Sequence, residues 1–151
     1  MSSSLKTAQD AIVATLTGLL DVPVLAHGGR FVERELPMLL AKAPCVLIAP
    51  LSVTSWTPSS PGEWSALVTW GAYCLGADGG GNRAEQAMEL AEQVLDQLVQ
   101  QQWGLTDAAS DEPEPGSPRA DNLYTGHVNN LRVALWATSW TQTLIRTIPD
   151  P

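Results

Sequence analysis

The stretch that decides the fold spans residues 130–146, N-L-R-V-A-L-W-A-T-S-W-T-Q-T-L-I-R. Its side chains alternate between two faces, with Leu131, Val133, Leu135, Ala137 and Ser139 on one face and Arg132, Ala134, Trp136, Thr138, Trp140 and Gln142 on the other. A period of two, rich in β-branched and aromatic residues and free of Gly and Pro, predicts a β-strand. The run exceeds the usual strand of about five or six residues. We therefore expect a long central strand, with a bulge near residues 137–139.

The two faces of this strand differ in chemistry. The aliphatic face is expected to be core. The other face mixes Trp with Thr, Gln and Arg, which predicts a partly wet surface of the kind that packs against another subunit. Trp136 and Trp140 are therefore candidate interface residues, with core packing as the alternative reading of both.

Two further strands are expected upstream. Residues 44–54 form an apolar run bent at Pro50, where a ladder donor is missing. Residues 57–62 (T-P-S-S-P-G) predict a turn-rich loop. Residues 63–75 alternate again, and they place Trp64, Val68 and Trp70 on one face, with Trp70 expected in the core.

Helical periodicity appears twice. Residues 4–20 carry an apolar stripe, and residues 22–26 beyond it read as extended. Residues 82–103 give the stronger pattern, with Asn82 and Glu85 as a capping box and Gly104 as the C-cap. Residues 30–43 leave open a strand at the start and a helical turn after Pro37.

A Pro-rich, acidic stretch covers residues 105–120 and predicts a mobile loop. Its acids are Asp107, Asp111, Glu112 and Glu114. With Asp121 these are five acids against Arg119 alone, a local charge of −4 out of the chain's −8. Because unpaired carboxylates resist burial, the loop should project into solvent.

Composition bounds the class of protein. A chain of 151 residues with 44% hydrophobic content fits one domain with a real core. Long alternating strands, short turns and two helices predict an α+β domain with a mixed, largely antiparallel sheet and both helices packed on one face.

A net charge of −8 and a pI near 4.5 argue against a protein that binds nucleic-acid phosphates. No apolar run reaches the roughly 20 residues of a membrane span. The apolar N-terminal run resembles a signal peptide, but Asp10 and Asp21 flank it and Thr15 and Thr17 interrupt it.

The chemistry-bearing residues form no recognisable catalytic pattern, so we expect no enzymatic activity, metal or cofactor. Gly79-x-Gly81-x-x-Ala84 matches a dinucleotide fingerprint formally, but the acid needed about 20 residues later is missing. His27 and His127 lie outside any zinc-ligand spacing. Cys45 and Cys74 are expected to be buried thiols in a reducing cytoplasm, with a disulfide left open.

A second candidate interface follows the first helix. Gly28 and Gly29 predict a flexible joint. The apolar side chains of Phe31 and Val32, which follow it, would be unfavourably exposed to water in a solvated loop. The segment 27–36 is therefore predicted to be an arm that contacts a neighbouring subunit through Phe31, Val32 and Arg34.

The chain resembles the Mu-like phage tail proteins of the tail terminator type. The resemblance rests on A-I-V-A-T-L-T-G-L-L near the start, A-P-C-V-L-I-A, W-S-A-L-V-T-W before the capped helix, and L-R-V-A-L-W-A-T-S-W-T-Q-T in the last strand. It covers most of the chain except the acidic stretch, and it is a pattern of strands and aromatics rather than a catalytic motif.

The resemblance implies a virion protein that assembles in the host cytoplasm into a homohexameric ring. The ring would cap the head-proximal end of the tail tube and contact the tube protein and a neck or head–tail connector, with no membrane partner. DNA would pass through without tight binding, and the acidic stretch would lie in the lumen or at the rim. One alternative is a neighbouring neck or head–tail joining protein. Another, of a different class, is a small-ligand or nucleotide-binding domain that uses the Gly-rich turn.

Overall fold

The computed structural model describes residues 4–29, 34, 36–39, 42–78, 83–105, 110–128 and 131–147. Within this part, the chain forms three helices and six strands. In chain order they are α1 (Ser4–Leu19), β1 (Val24–Ala26), α2 (Leu36–Leu39), β2 (Cys45–Ser60), β3 (Glu63–Asp78), α3 (Arg83–Gln97), β4 (Ser110–Pro113), β5 (Arg119–Val128) and β6 (Leu131–Thr147).

The strands form one mixed sheet in the order β1-β2-β3-β6, and β4 and β5 both pair with the far edge of β6. Only β1 and β2 run parallel; the other pairs are antiparallel. This confirms an α+β fold with a mixed, largely antiparallel sheet and a central last strand. The predicted bulge at 137–139 is absent on the β3 side, where the pairing runs without a shift from Glu63↔Thr147 to Asp78↔Arg132.

The main core lies between the sheet and the helices α1 and α3. Ile12 and Leu16 of α1 and Val94 of α3 are fully buried there against Val68 and Trp70 of β3. The three- and four-residue spacing of the helical apolar residues places them on one face, as predicted. The helix α3 ends at Gln97, earlier than the predicted residue 103, and Gly104 is not its C-cap.

The aliphatic face of β6 is core, as predicted, but the prediction that its other face is partly wet is wrong. Trp140 and Thr138 belong to the helix-covered face, where Trp140 is only 1% exposed. Polar residues did not make this face wet because they have partners inside the protein: Thr138 Oγ1 donates to the Ala91 carbonyl of α3 over 2.9 Å.

The aliphatic face of β6 forms a smaller, separate core. Val133 and Leu135 pack there with Leu47 of β2, Tyr73 of β3 and Leu39 of α2. The sheet is therefore covered on both faces at the end that contains the start of β2 and the end of β3.

The strands β2 and β3 form a long hairpin. The predicted loop at 57–62 is wrong, because β2 continues to Ser60 and only Pro61 and Gly62 form the turn. Gly62 has φ +77°, a conformation that glycine adopts without a steric penalty. The pairing is irregular beside Pro50, where the sequence predicted a bend.

The predicted mobile loop at 105–120 is wrong for residues 110–120. Both β4 and the start of β5 pair with β6, at Ser110↔Leu144, Pro113↔Gln142 and Arg119↔Ser139. Between the two strands, Glu114-Pro115-Gly116-Ser117 forms a tight turn closed by Ser117 N–H donating to the Glu114 carbonyl over 3.1 Å. Pro before a glycine with φ +78° is the sequence that a type II turn requires.

The two cysteines are free and buried, as predicted. In the β2–β3 register Val46 pairs with Cys74 and Cys45 pairs with Leu75. Because successive residues of a strand point to opposite faces, the two thiols lie in different cores. In the described part of the chain, no helix is both long and apolar enough to cross a bilayer.

Candidate functional site

The outer half of β2, residues 51–58, presents an open strand edge, and we name it the β2 arm. The strand β1 covers the outer edge of β2 only from Val46 to Ile48. Among the strands that the structure describes, none pairs with that edge beyond Ile48. The arm reads L-S-V-T-S-W-T-P and carries no charge. Long, uncharged edge strands are templates for pairing with another chain.

Apolar side chains are exposed on the arm. Val53 is 39% and Trp56 44% exposed. The Trp56 ring stacks on Trp64 of β3, with ring centroids 6.2 Å apart and an interplanar angle of 23°. Such a pair is rigid, so it offers a large contact area at a small cost in side-chain entropy.

Proline residues and a bulge limit the part of the arm that can pair. Pro50 and Pro58 lack backbone donors at its two ends. The register shifts between Thr54 and Thr57, where Ser55 adopts φ +53°. The regular part of the free edge is therefore short and centred on Val53.

The opposite edge of the sheet is acidic. We name residues 110–117 the acidic segment, which lies along the far edge of β6. Asp111 and Glu112 are exposed, and neither forms an ion pair within the described part of the chain. Glu114 is half-buried, and its backbone N–H donates to the Thr141 carbonyl over 2.7 Å.

A buried glutamine holds this segment in place. The side-chain oxygen of Gln142, which is 2% exposed, accepts the indole N–H of Trp103 (2.8 Å) and of Trp140 (3.0 Å). Its amide nitrogen donates to the Gln101 carbonyl over 2.9 Å. The same nitrogen also donates to Ser110 Oγ (3.2 Å) and to the Asp111 carbonyl. Gln142 thereby joins three parts of the chain: the segment after α3, β4 and β6.

Ser117 completes the attachment at the other end of the segment. Its hydroxyl accepts the Thr141 N–H over 3.1 Å and donates to the Glu114 carbonyl over 2.7 Å. A hydroxyl at this position replaces a ladder bond that the turn interrupts. The acidic segment is thus a fixed part of the sheet edge.

Two clefts flank these edges. One, of about 590 Å³, lies between the β2 arm and the turn at residues 114–117 of the acidic segment. It is lined by this turn and by Ser55, Leu67 and Thr141. The other, of about 500 Å³, lies beside β1 and is lined by residues 25–29, Leu39, Lys42 and Leu47. His27 there makes an edge contact with Tyr73, with ring centroids 5.7 Å apart, and its Nδ1 lies 2.8 Å from the Gly29 carbonyl oxygen.

The buried thiols lack the character of nucleophiles. Burial raises the pKa of Cys45 to about 11, although the nearby Lys42 acts in the opposite direction. Burial, and secondarily Cys45, raises the pKa of Cys74 still further. Both thiols are therefore protonated at neutral pH. In the described residues, no three His, Cys, Asp or Glu side chains gather where they could hold a metal ion.

The predicted interface residues do not come together. Arg34 is exposed, whereas Phe31 and Val32 lie outside the described residues. Trp136 is half-buried against the main core, and Trp140 is buried within the chain, so Trp140 cannot be the surface anchor that the sequence suggested. Asp107 lies outside the described residues, as do Gly79, Gly81 and Asn82.

The sequence interpretation missed the β2 arm and the role of Gln142. A signal for the arm was present, because the Ser/Thr-rich stretch between Pro50 and Pro58 contains Val53 and Trp56 and ends in Pro61-Gly62, a turn pair. Gln142 gave no comparable signal, since its partners are distant in the chain.

A comparison with models of known protein families finds no match, and a comparison with curated proteins finds none either.

Proposed function

We propose that this protein is a structural subunit of a phage tail: a tail terminator that assembles as a homohexameric ring on the head-proximal end of the tail tube. It would contact the tube protein on one side and a neck or head–tail connector on the other. It would assemble in the host cytoplasm and remain in the virion. The proposal rests on the sequence resemblance and on one observation, the β2 arm.

The arm supports an assembling protein for a physical reason. A free, uncharged strand edge beside exposed Val53 and Trp56 would promote uncontrolled association if nothing covered it. Trp is enriched among the residues that anchor protein interfaces. A defined protein partner is therefore a better account of this surface than bulk solvent.

Charge supports the second part of the proposal. The net charge of −8 would repel phosphates rather than bind them. A ring with this charge would let DNA pass without a bound resting state.

The test is assembly on the tube. Purified protein, alone and mixed with tail tube protein, should be measured by size-exclusion chromatography with light scattering and imaged by negative-stain electron microscopy. We expect six-fold rings that cap one end of each tube. A protein that binds the head connector but leaves tube ends uncapped would be a neck or joining protein instead.

The ligand-binding alternative has its own readout. A saturable rise in melting temperature with NAD or ATP would follow RT ln(1 + [L]/Kd) and would favour a nucleotide-binding domain. A protein that shows this rise and forms no ring would contradict the structural role.

A further inference from the structure

We propose that neighbouring subunits join edge to edge, the β2 arm of one copy pairing with the acidic segment of the next to continue the sheet across the junction. The partner is thus a second copy of this chain. This inference rests on the proposed ring, and it adds which surfaces meet.

The first argument is that the two edges are the opposite ends of one sheet. The order β1-β2-β3-β6-β4 leaves the arm on one outer edge and β4 on the other, where the Ser110 carbonyl already accepts the Gln102 side-chain amide over 3.1 Å. A contact between two different surfaces is heterologous, and repeated heterologous contacts generate rings when the rotation closes. A contact between two copies of the same edge would stop at a dimer.

The second argument is that the two edges lie at the same level of the sheet. Val53 pairs with Val68, Val68 with Gln142, and Gln142 with Pro113. The centre of the free β2 edge and the end of β4 therefore lie on one line across the strands. A neighbouring copy can continue the sheet with little displacement along the strand direction.

The third argument is strand direction. The pairs β2–β3, β3–β6 and β6–β4 are each antiparallel, so β4 runs opposite to β2. A copy that continues the sheet in the same sense places its β4 antiparallel to the arm. Antiparallel pairing is the slightly more stable kind per residue.

The side chains on the two edges are also compatible. The arm offers the Ser52 hydroxyl as a donor, and β4 offers the acceptor carboxylates of Asp111 and Glu112. The absence of charge on the arm means that these carboxylates meet no like charge.

Cysteine cross-linking tests the junction directly. We would pair Val53→Cys with Glu112→Cys in one variant and with Pro113→Cys in another, because a slip of one residue turns a side chain to the opposite face. Within one subunit the two positions are three strand spacings apart, about 14 Å, which a disulfide cannot bridge. The native Cys45 and Cys74 are buried, so background cross-linking should be low.

Under conditions in which rings form, oxidation of at least one double variant should give a ladder of cross-linked species ending at the full ring on non-reducing gels. The single variants should give none. A covalent dimer from Val53→Cys alone would show that two arms meet each other, and rings without any cross-link would show that other surfaces meet. Either result overturns the edge-to-edge junction and leaves the ring itself standing.

A charge on the arm gives a second, independent readout. Val53→Lys should keep its melting temperature near wild type and lose ring formation, because a charged edge resists strand pairing. Val99→Lys, at a position that is 78% exposed after α3, is the matched control and should assemble as wild type does. Normal rings from Val53→Lys would overturn the junction, whereas failure of the wild type to form rings, alone or with tube protein, would overturn both proposals.

Discussion

The indole N–H of Trp103 donates to the side-chain oxygen of Gln142 across 2.8 Å, and both residues are buried. The same oxygen accepts a second indole N–H, from Trp140, whose ring lies 5.6 Å from that of Trp103 between centroids. One amide therefore satisfies two large aromatic side chains, which explains how two indoles fit in one apolar core.

Replacing this amide should weaken the fold. Gln142→Leu fills a similar volume with an apolar side chain but leaves the two buried indole N–H donors unsatisfied, at about 1–3 kcal/mol each. It also releases the acidic segment, so amide hydrogens in residues 110–117 should exchange faster. Urea unfolding and hydrogen exchange measure the two effects. Gln93→Leu, the same change at an exposed site of α3, should stay within about 0.5 kcal/mol of wild type. Equal stability of both variants would contradict the role of Gln142.

Trp70 and Trp56 should differ strongly in their contribution to stability. Trp70 is 2% exposed, and Trp70→Ala should cost about 3–5 kcal/mol because it empties a core site. Trp56→Ala removes mainly the stacking on Trp64, which is worth about 0.5–1.5 kcal/mol. Urea unfolding measures both. An unchanged unfolding midpoint for Trp70→Ala would show that the residue does not support the core.

Deletion of residues 106–120, which include the acidic segment, should destabilise the fold. A mobile loop could be deleted with little effect, but deletion of residues 106–120 removes β4, the start of β5 and two hydrogen-bond partners of Gln142, Ser110 and Asp111. We expect a loss of several kcal/mol in the free energy of unfolding, because buried groups lose their hydrogen bonds. Urea unfolding of the deletion variant measures it, and a near-wild-type midpoint would refute this attachment.

High pH should destabilise the protein through its thiols. The pKa of Cys45 is raised from 9.0 to about 11 in the folded state. Below pH 9 the Cys45 thiol is protonated in the folded and the unfolded state, so its contribution to stability is fully present. Between pH 9 and 11 the thiol ionises only in the unfolded state, so stability falls as pH rises. One thiol contributes at most about 1.4 kcal/mol per pH unit. The difference in stability between wild type and Cys45→Ala, measured by urea unfolding, should shrink over this range; a constant difference would contradict it.

Regular periodicity made most of the fold predictable. The helix α1, the strands β3 and β6 and the core position of Trp70 all followed from local spacing, which depends only on the alternation of neighbouring residues. The prediction of a partly wet face on β6 was wrong because Thr138 and Gln142 were read as signs of contact with water. Their partners, Ala91 and Trp103, come from distant parts of the chain that local spacing does not reveal.

The acidic segment and the arm were harder to predict for a related reason. Proline and acidic residues lower the intrinsic preference for strands, yet β4 forms because it pairs with a preformed neighbour and because Ser110 and Ser117 supply extra hydrogen bonds. The candidate interface on the arm depended on knowing which strand edges stay open. That is a property of the sheet order, which sequence pattern alone does not determine.

The position of β6 has a consequence for the order of folding during synthesis. The strand that lies between β3 and the β4–β5 edge is the last described element of the chain. After β3 leaves the ribosome, its inner edge stays unpaired and the apolar stripe of α3 lacks its β6 contacts until β6 has been synthesised. This interval is on the order of several seconds at typical rates of about 5–20 residues per second. The nascent chain therefore holds an open sheet until its centre is made, and a pause in translation before residue 131 would prolong the interval in which other nascent copies can pair with it.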